Sequence, residues 1–123
     1  MKAWIPLTLV FAFGLANHAQ ATCSYPQSPA ATPDGSTATR DEMIAAKRDF
    51  DRYNSEMNSY LDCLNLEIDG APKDLSKMTP DEKKKAVQEQ NILVQKHNAA
   101  FDELQAVVGR FNEQLKIFKA KQK

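Results

Sequence analysis

The chain carries no excess of charge of either sign, and this excludes one large class of partner. Its 16 Lys and Arg residues balance 16 Asp and Glu residues, and loss of Lys2 with an N-terminal leader would leave the remainder nearly neutral. Because phosphate contacts need a concentrated basic surface, we expect no nucleic-acid partner. The run from Lys83 to Lys85 is flanked by Asp81, Glu82 and Glu89, which is typical of a solvated helix face.

Residues that carry catalysis and metal binding are scarce. The sequence has two histidines, His18 and His97, and two cysteines, Cys23 and Cys63. His97 has no second ligand at helical spacing, and no motif identifies a nucleophile or orienting acid for it. The sequence also lacks glycine-rich phosphate loops, paired-cysteine metal sites and nucleophile elbows. We therefore expect a protein that is not an enzyme and that has no cofactor, metal or small-molecule substrate.

Long apolar runs are lacking after the N-terminus. One run over 3–16 follows Lys2 and precedes a polar stretch, and Ala19-Gln20-Ala21 places small residues at the two positions that a signal peptidase reads. At about 14 residues the run is too short to span a bilayer of about 30 Å as a permanent helix. We predict a signal peptide over 1–21 that is cleaved before Thr22, and a periplasmic or secreted location.

The cysteine beside the predicted cleavage site raises a lipoprotein alternative, in which Cys23 would become the acylated first residue. A lipoprotein signal needs Leu three residues before that cysteine and Gly or Ala directly before it. This chain has Gln20 and Thr22 at those positions. The residues therefore favour the ordinary export signal.

Residues 22–38 are rich in proline and show no apolar periodicity. Pro26 and Pro29 favour polyproline geometry, so we predict an extended N-terminal tail. Pro33-Asp34-Gly35 predicts a turn in this tail, because proline presets the first turn angle and Gly35 accepts a positive φ.

Two capped segments predict two helices, over 39–69 and 80–120, joined by a loop over 70–79. Thr39 and Thr79 are N-cap candidates, and each is followed three residues later by a glutamate. This spacing is that of the capping box, in which the two side chains satisfy each other's free backbone N–H groups. The fold is therefore predicted to be all-α.

Both predicted helices carry an apolar stripe with spacings of three and four residues. The first helix is predicted to end at Gly70 and Pro72. Its stripe consists of Met43, Ala46, Phe50, Tyr53, Met57, Tyr60 and Leu64. The stripe of the second helix consists of Val87, Gln90, Val94, His97, Phe101, Leu104, Val108, Phe111, Leu115 and Phe118.

Two long helices joined by a short loop favour an antiparallel, coiled-coil-like hairpin. Folding about the centre of the loop pairs apolar residues of the two stripes. The predicted pairs are Phe50 with Phe101, Met57 with Val94, and Met43 with Val108. The same register predicts a polar core layer, with His97 near Tyr53 and Gln90 near Tyr60.

The two cysteines predict one intramolecular disulfide in an oxidising compartment, and two free thiols or an intermolecular bridge are the alternatives. From Thr39, an extended tail reaches back far enough for Cys23 to meet Cys63. We expect the tail to lie along the hairpin as a third, non-helical segment, with Tyr25 near Cys63 and Leu64. Closing this loop would stabilise the fold by roughly 3 to 4 kcal/mol.

The predicted register leaves the chain beyond Arg110 without a partner helix. Phe111, Leu115 and Phe118, with Lys116 and Lys119 beside them, would form an exposed amphipathic, cationic end. Such an end suits a partner helix or an anionic membrane surface. The favoured interpretation is that self-association or the tail covers these side chains, with the lysines complementing the helix C-terminus.

Further apolar residues flank the two stripes, and a homodimeric four-helix bundle would bury them better than a lone hairpin does. They are Ile44, Leu61, Ile92, Leu93, Ala100 and Val107. A homodimer or an envelope protein is therefore the expected kind of partner.

A sequence pattern over residues 22–67 resembles a family of short exported proteobacterial proteins with no assigned activity. The pattern consists of Cys23, Pro33-Asp34-Gly35-Ser36-Thr37-Ala38-Thr39, Glu42-Met43 and Tyr60-Leu61-Asp62-Cys63-Leu64. The resemblance implies an envelope location and a bridge between the two cysteines. Together these features predict an exported, non-catalytic helical interaction or structural protein. The alternative is a chaperone-like or membrane-surface protein that uses the cationic C-terminal end.

Overall fold

A computed structural model describes residues 22–123, so the predicted signal peptide lies outside the described part of the chain. Two helices, α1 (Arg40–Gly70) and α2 (Pro80–Lys121), account for most of it. They pack antiparallel, and the tail (residues 22–38) is extended. The predicted all-α hairpin with an N-terminal tail is confirmed.

Reciprocal hydrogen bonds at both N-termini explain where the helices begin. The Thr39 hydroxyl accepts from the Glu42 N–H at 3.3 Å, and the Glu42 carboxylate accepts from the Thr39 N–H at 2.7 Å. Thr79 and Glu82 repeat this arrangement at the start of α2. The backbone hydrogen bond from each threonine lowers the pKa of the paired glutamate, so the ionised carboxylates stabilise the helix starts.

Pro72, rather than a left-handed glycine, ends α1. No glycine in the described residues has a positive φ, and Gly70 is the last helical residue. Ala71 is extended, with φ −63° and ψ 145°, because the ring of a following proline disfavours the helical conformation. The positive φ predicted for Gly35 is therefore also wrong.

The register of the hairpin differs from the predicted one by about ten residues of α2. Phe50 stacks on Phe111, with ring centroids 4.4 Å apart and an interplanar angle of 7°. Met43 packs against Phe118 in a second small cluster. The predicted partner of Phe50, Phe101, is 45% exposed. The loop did not fix the register, because its residues lie beside α2 instead of closing a tight turn.

The extra length of α2 therefore projects at the loop end of the hairpin. With Phe50 level with Phe111, the end of α1 at Gly70 is level with Asn91. The first three turns of α2 extend beyond it and are exposed almost throughout. These turns include the charged run from Asp81 to Lys85, which loses hydration if it is buried. The prediction that α2 outruns α1 beyond Arg110 is wrong.

The stripe of α1 is as predicted, whereas α2 is rotated. The largest fully buried side chains of the hairpin all belong to α1 and are Tyr53, Met57 and Leu64. They pack against Ala100 and Val107, which are 2% and 6% exposed. Large residues on one helix leave room for small residues on the other. For this reason α2 buries Ala100 and Val107 beside Leu104 and leaves the bulkier Phe101 45% exposed.

Candidate interaction surface

The tail is fixed at its start by the predicted disulfide, which is confirmed. Cys23 and Cys63 are bonded, with Cα atoms 5.7 Å apart. The ring of Tyr25 packs edge-on against Tyr60 with centroids 5.1 Å apart, as expected for a tail that begins near Cys63. Pro26 is buried beside it. The tail then runs back along the hairpin toward the start of α1.

Hydrogen bonds tie the rest of the tail to both helices. The Ala30 N–H donates to the Asp49 carboxylate of α1 at 2.6 Å. The Gly35 N–H donates to the Gln114 side-chain oxygen of α2 at 2.8 Å. Because it contacts both helices along its length, the tail fills one of the two grooves between them. The expected third, non-helical segment is confirmed.

The turn at Asp34 brings the tail backbone directly against α2. The Asp34 carboxylate accepts from the Ser36 N–H at 2.8 Å and from its hydroxyl at 2.7 Å, and these bonds lower the pKa of Asp34. A Cβ on Gly35 would lie 2.1 Å from the Gln114 carbonyl oxygen and 2.9 Å from the Phe118 nitrogen. Gly35 is therefore required because the tail passes so close to the helix backbone. Its own backbone conformation would allow another residue.

A tyrosine-glutamate cluster (Tyr25, Tyr53 and Glu103) joins the tail to both helices. The Tyr53 hydroxyl donates to Glu103 at 3.0 Å, and the Tyr25 hydroxyl donates to the other carboxylate oxygen. Burial, followed by the hydrogen bond to Glu103, raises the pKa of Tyr53 to about 12. The same two causes raise the pKa of Tyr25 well above its usual range. Both phenols therefore stay protonated and donate to the carboxylate.

The sequence reasoning missed Glu103 and Gln114 as the α2 residues that hold the tail. They are eleven residues apart, which is close to three full turns, so both lie on one line along the helix. That spacing beside an apolar stripe was the available signal. The spacing identifies these two residues as tail contacts only once the extended tail is known to lie in the groove.

The interpretation in which the C-terminal end is exposed is wrong for its aromatic residues, and the interpretation in which the tail covers them is confirmed. Phe111 and Phe118 are 4% and 8% exposed, and Leu115 is half-buried. The tail covers this end, since Phe118 packs with Ala38 and the Lys121 ammonium donates to the Ala38 carbonyl at 2.7 Å. The remaining predicted partner-binding residues, Lys116 and Lys119, are exposed.

The predicted polar core layer is also wrong. His97 is half-buried and Gln90 is exposed. The two tyrosines that they were expected to face are buried but have other neighbours, since Tyr53 donates to Glu103 and Tyr60 packs against Tyr25. The shifted register accounts for the difference, because it moves His97 and Gln90 along α1 toward its end.

A second surface, here called the open face, lies on the side of α2 away from the tail. It consists of Val87, Val94 and Phe101, which are 46%, 38% and 45% exposed, and of Val108, which is half-buried against the core. These residues recur every seven positions, so they form one line along the helix. Phe101 lies about 200° round the helix from Glu103, two residues away. The tail therefore leaves this line uncovered.

The surroundings of the open face are uncharged over most of its length. From Gln90 to Phe101 the charged residue is Lys96, and it lies about 200° round the helix from Val94. The exposed neighbours on the face are amides: Asn91, Asn98, Gln105 and Asn112. Heptad-spaced apolar residues with uncharged polar neighbours are typical of a helix-packing surface.

An open groove of about 890 Å³ lies at the loop end of the hairpin. It is lined by apolar side chains, among them Pro72, Met78 and Leu93, and by the acidic residues Glu67 and Glu89. The Glu89 carboxylate lies 3.8 Å from the Lys85 ammonium, and this exposed ion pair contributes little to stability. The groove brings together no set of groups with recognisable chemistry.

Within residues 22–123, the group of side chains closest to a metal-ligand arrangement is Cys23, Cys63 and Glu67. There the disulfide uses both sulfur atoms. None of the helices described here is long and apolar enough to cross a membrane. Comparisons with protein families, with curated proteins and with solved structures find no match to this chain.

Proposed function

We propose that this protein is an exported, non-catalytic helical interaction module and that the open face is its binding surface. The observation that carries the proposal is the asymmetry of the hairpin. The tail fills one groove and covers the C-terminal aromatic residues Phe111 and Phe118. On the other side Val87, Val94 and Phe101 stay exposed at heptad spacing. A single helix that packed along this line would bury Val94 and Phe101 without desolvating a charge, since the charges on this face, Lys83 and Lys84, lie beside Val87 only.

The disulfide supports the export part of the proposal, since such bonds persist in oxidising compartments. Cell fractionation and an intact mass provide the test. We expect the protein in the periplasm or the medium, with a mass corresponding to a chain that begins at Thr22. A full-length chain confined to the cytoplasm would contradict the export part of the proposal.

Site-specific photocrosslinking tests the binding surface. A benzophenone side chain placed at Phe101 is expected to yield a discrete adduct in irradiated cells. The matched control is the same side chain at Ile117, which is 37% exposed on α2 but lies about 160° round the helix from Phe101. Equal adducts from both positions, or none from Phe101, would reject the open face as the binding surface.

We do not propose the chaperone-like or membrane-surface alternative. It depended on exposed aromatic residues at the cationic end, and Phe111 and Phe118 are buried. Lys116 and Lys119 alone offer an anionic surface only weak, salt-screened attraction.

A further inference from the structure

We infer that the occupant of the open face is a second copy of this chain, packed antiparallel about a twofold axis beside Asn98. The inference rests on the function proposed above. In a twofold interface the same patch must pair with itself. The open face meets this condition, because its four apolar residues are equally spaced on either side of the axis.

The pairing follows from the spacing. An axis between His97 and Asn98 brings Val94 of one copy opposite Phe101 of the other, and Val87 opposite Val108. The one large side chain, Phe101, then meets the smaller Val94, and Val87 meets a residue of its own size. All four apolar residues are used in each copy, and the exposed end of the line at Val87 is covered.

The charges permit this pairing. Gln90 meets Gln105 of the second copy, and Lys83 meets Asn112, so no two charges of the same sign are placed opposite each other. The charges nearest the line are Lys83 and Lys84, about one turn before Val87, whereas Lys96 and Glu89 lie on other sides of α2. A second copy therefore fits the central part of the face without burying an unpaired charge, a cost that a charged partner helix would incur. Lys83 and Lys84 lie at the outer ends of the overlap, where their long side chains can keep the ammonium groups in water.

The size of the contact predicts a weak dimer. The overlap from Lys83 to Asn112 is about 45 Å long at 1.5 Å per residue, and a helix is about 10 Å wide. The resulting footprint is about 450 Å² per copy, near the lower limit for a specific interface. The two α2 helices would form the centre of a four-helix assembly, with an α1 helix and a tail on each outer side.

Engineered cysteines test the axis directly. Asn98→Cys places a thiol beside the axis, and Ala99→Cys places one about 100° round the helix on an equally exposed residue. We expect oxidation to link the Asn98→Cys protein into a dimer through its new thiols, as identified by peptide mapping. The Ala99→Cys protein should stay unlinked, and adding Phe101→Ser to Asn98→Cys should greatly reduce the linked fraction.

Light scattering across a concentration series completes the test, with a rise from monomer to dimer mass expected. A monomer at every concentration, with no link through Asn98→Cys, overturns the inference of a second copy. If the benzophenone at Phe101 then captures a different protein, the proposed function stands and only the inference of a second copy fails. If that side chain captures nothing, both fail. Linkage that is equal for Asn98→Cys and Ala99→Cys also overturns the twofold arrangement.

Discussion

Gly35 illustrates how a residue with an ordinary backbone conformation can still tolerate only one side chain. Its φ lies outside the left-handed region, so conformational freedom does not explain the glycine. The missing side chain does, because the turn at Asp34 presses the tail backbone against the Gln114 carbonyl oxygen. Gly109 is the opposite case, since nothing lies within 4 Å of where its Cβ would be.

We therefore predict opposite effects for the same substitution at the two glycines. Gly35→Ala should lower the free energy of unfolding by about 1 to 3 kcal/mol, because the helix backbone cannot yield as a flexible side chain would. Gly109→Ala, in the middle of an exposed helix surface, should raise it by about 1 kcal/mol. Urea unfolding followed by circular dichroism measures both. A neutral Gly35→Ala would show that the tail is not seated as described.

The tyrosine-glutamate cluster predicts a loss of stability in alkali. The pKa of Tyr53 is about 12 in the folded protein and 10.0 in the unfolded chain. The folded state therefore retains a proton that the unfolded state releases, and stability falls as pH rises from 10 through 12. Phenolate absorbance should show delayed ionisation of Tyr53. Glu103→Gln should bring that ionisation back toward pH 10, and an unchanged titration curve in this variant would reject the cluster.

At the scale of the elements, helix starts, the buried stripe of α1 and the disulfide were predictable from sequence. Each depends on residues close together in the chain or on one pairing. The buried face of α2 was not predictable, because two stripes share His97, Leu104, Phe111 and Phe118. The choice between them depends on the bulk of Tyr53 and Met57 across the interface. The open face was thus assigned to the core, although its residues were correctly identified as a stripe.

The register is tested by the coupling between two aromatic side chains. In a double-mutant cycle, Phe50→Ala and Phe111→Ala should show a coupling energy of about 0.5 to 1.5 kcal/mol, because their rings stack. The matched cycle of Phe50→Ala with Phe101→Ala should be additive. Coupling to Phe101 and not to Phe111 would restore the register predicted from the loop.

The tail is held in place by the disulfide at one end and by its continuation into helix α1 at the other. The bond closes a loop with a sequence separation of 40 residues, which corresponds to roughly 3 to 4 kcal/mol if chain entropy dominates. We predict that replacing Cys23 and Cys63 by serine lowers the unfolding free energy by about that amount. Amide exchange at Ala30 and Gly35 should speed up more than exchange in α1, whereas equal acceleration throughout would indicate global loosening.

At the scale of the whole molecule, the tail covers the apolar surface of the two-helix hairpin on one side only. A chain of this size buries a modest share of its surface, and the tail adds a third layer over one groove through Pro26, Gly35 and Ala38. Nothing in residues 22–123 provides an equivalent layer beside Val94 and Phe101. The surface that the tail leaves uncovered is therefore the one on which association should depend.

Association through that surface makes thermal stability depend on protein concentration. If the folded chain dimerises and the unfolded chain does not, mass action raises the Tm as concentration increases. We predict such a rise for the native sequence and a flat Tm for the Val94→Ser, Phe101→Ser double variant. Ile44→Ser, a control on α1 with a comparably exposed side chain at 44%, should keep the native slope. A slope that persists in the double variant would locate self-association elsewhere on the molecule.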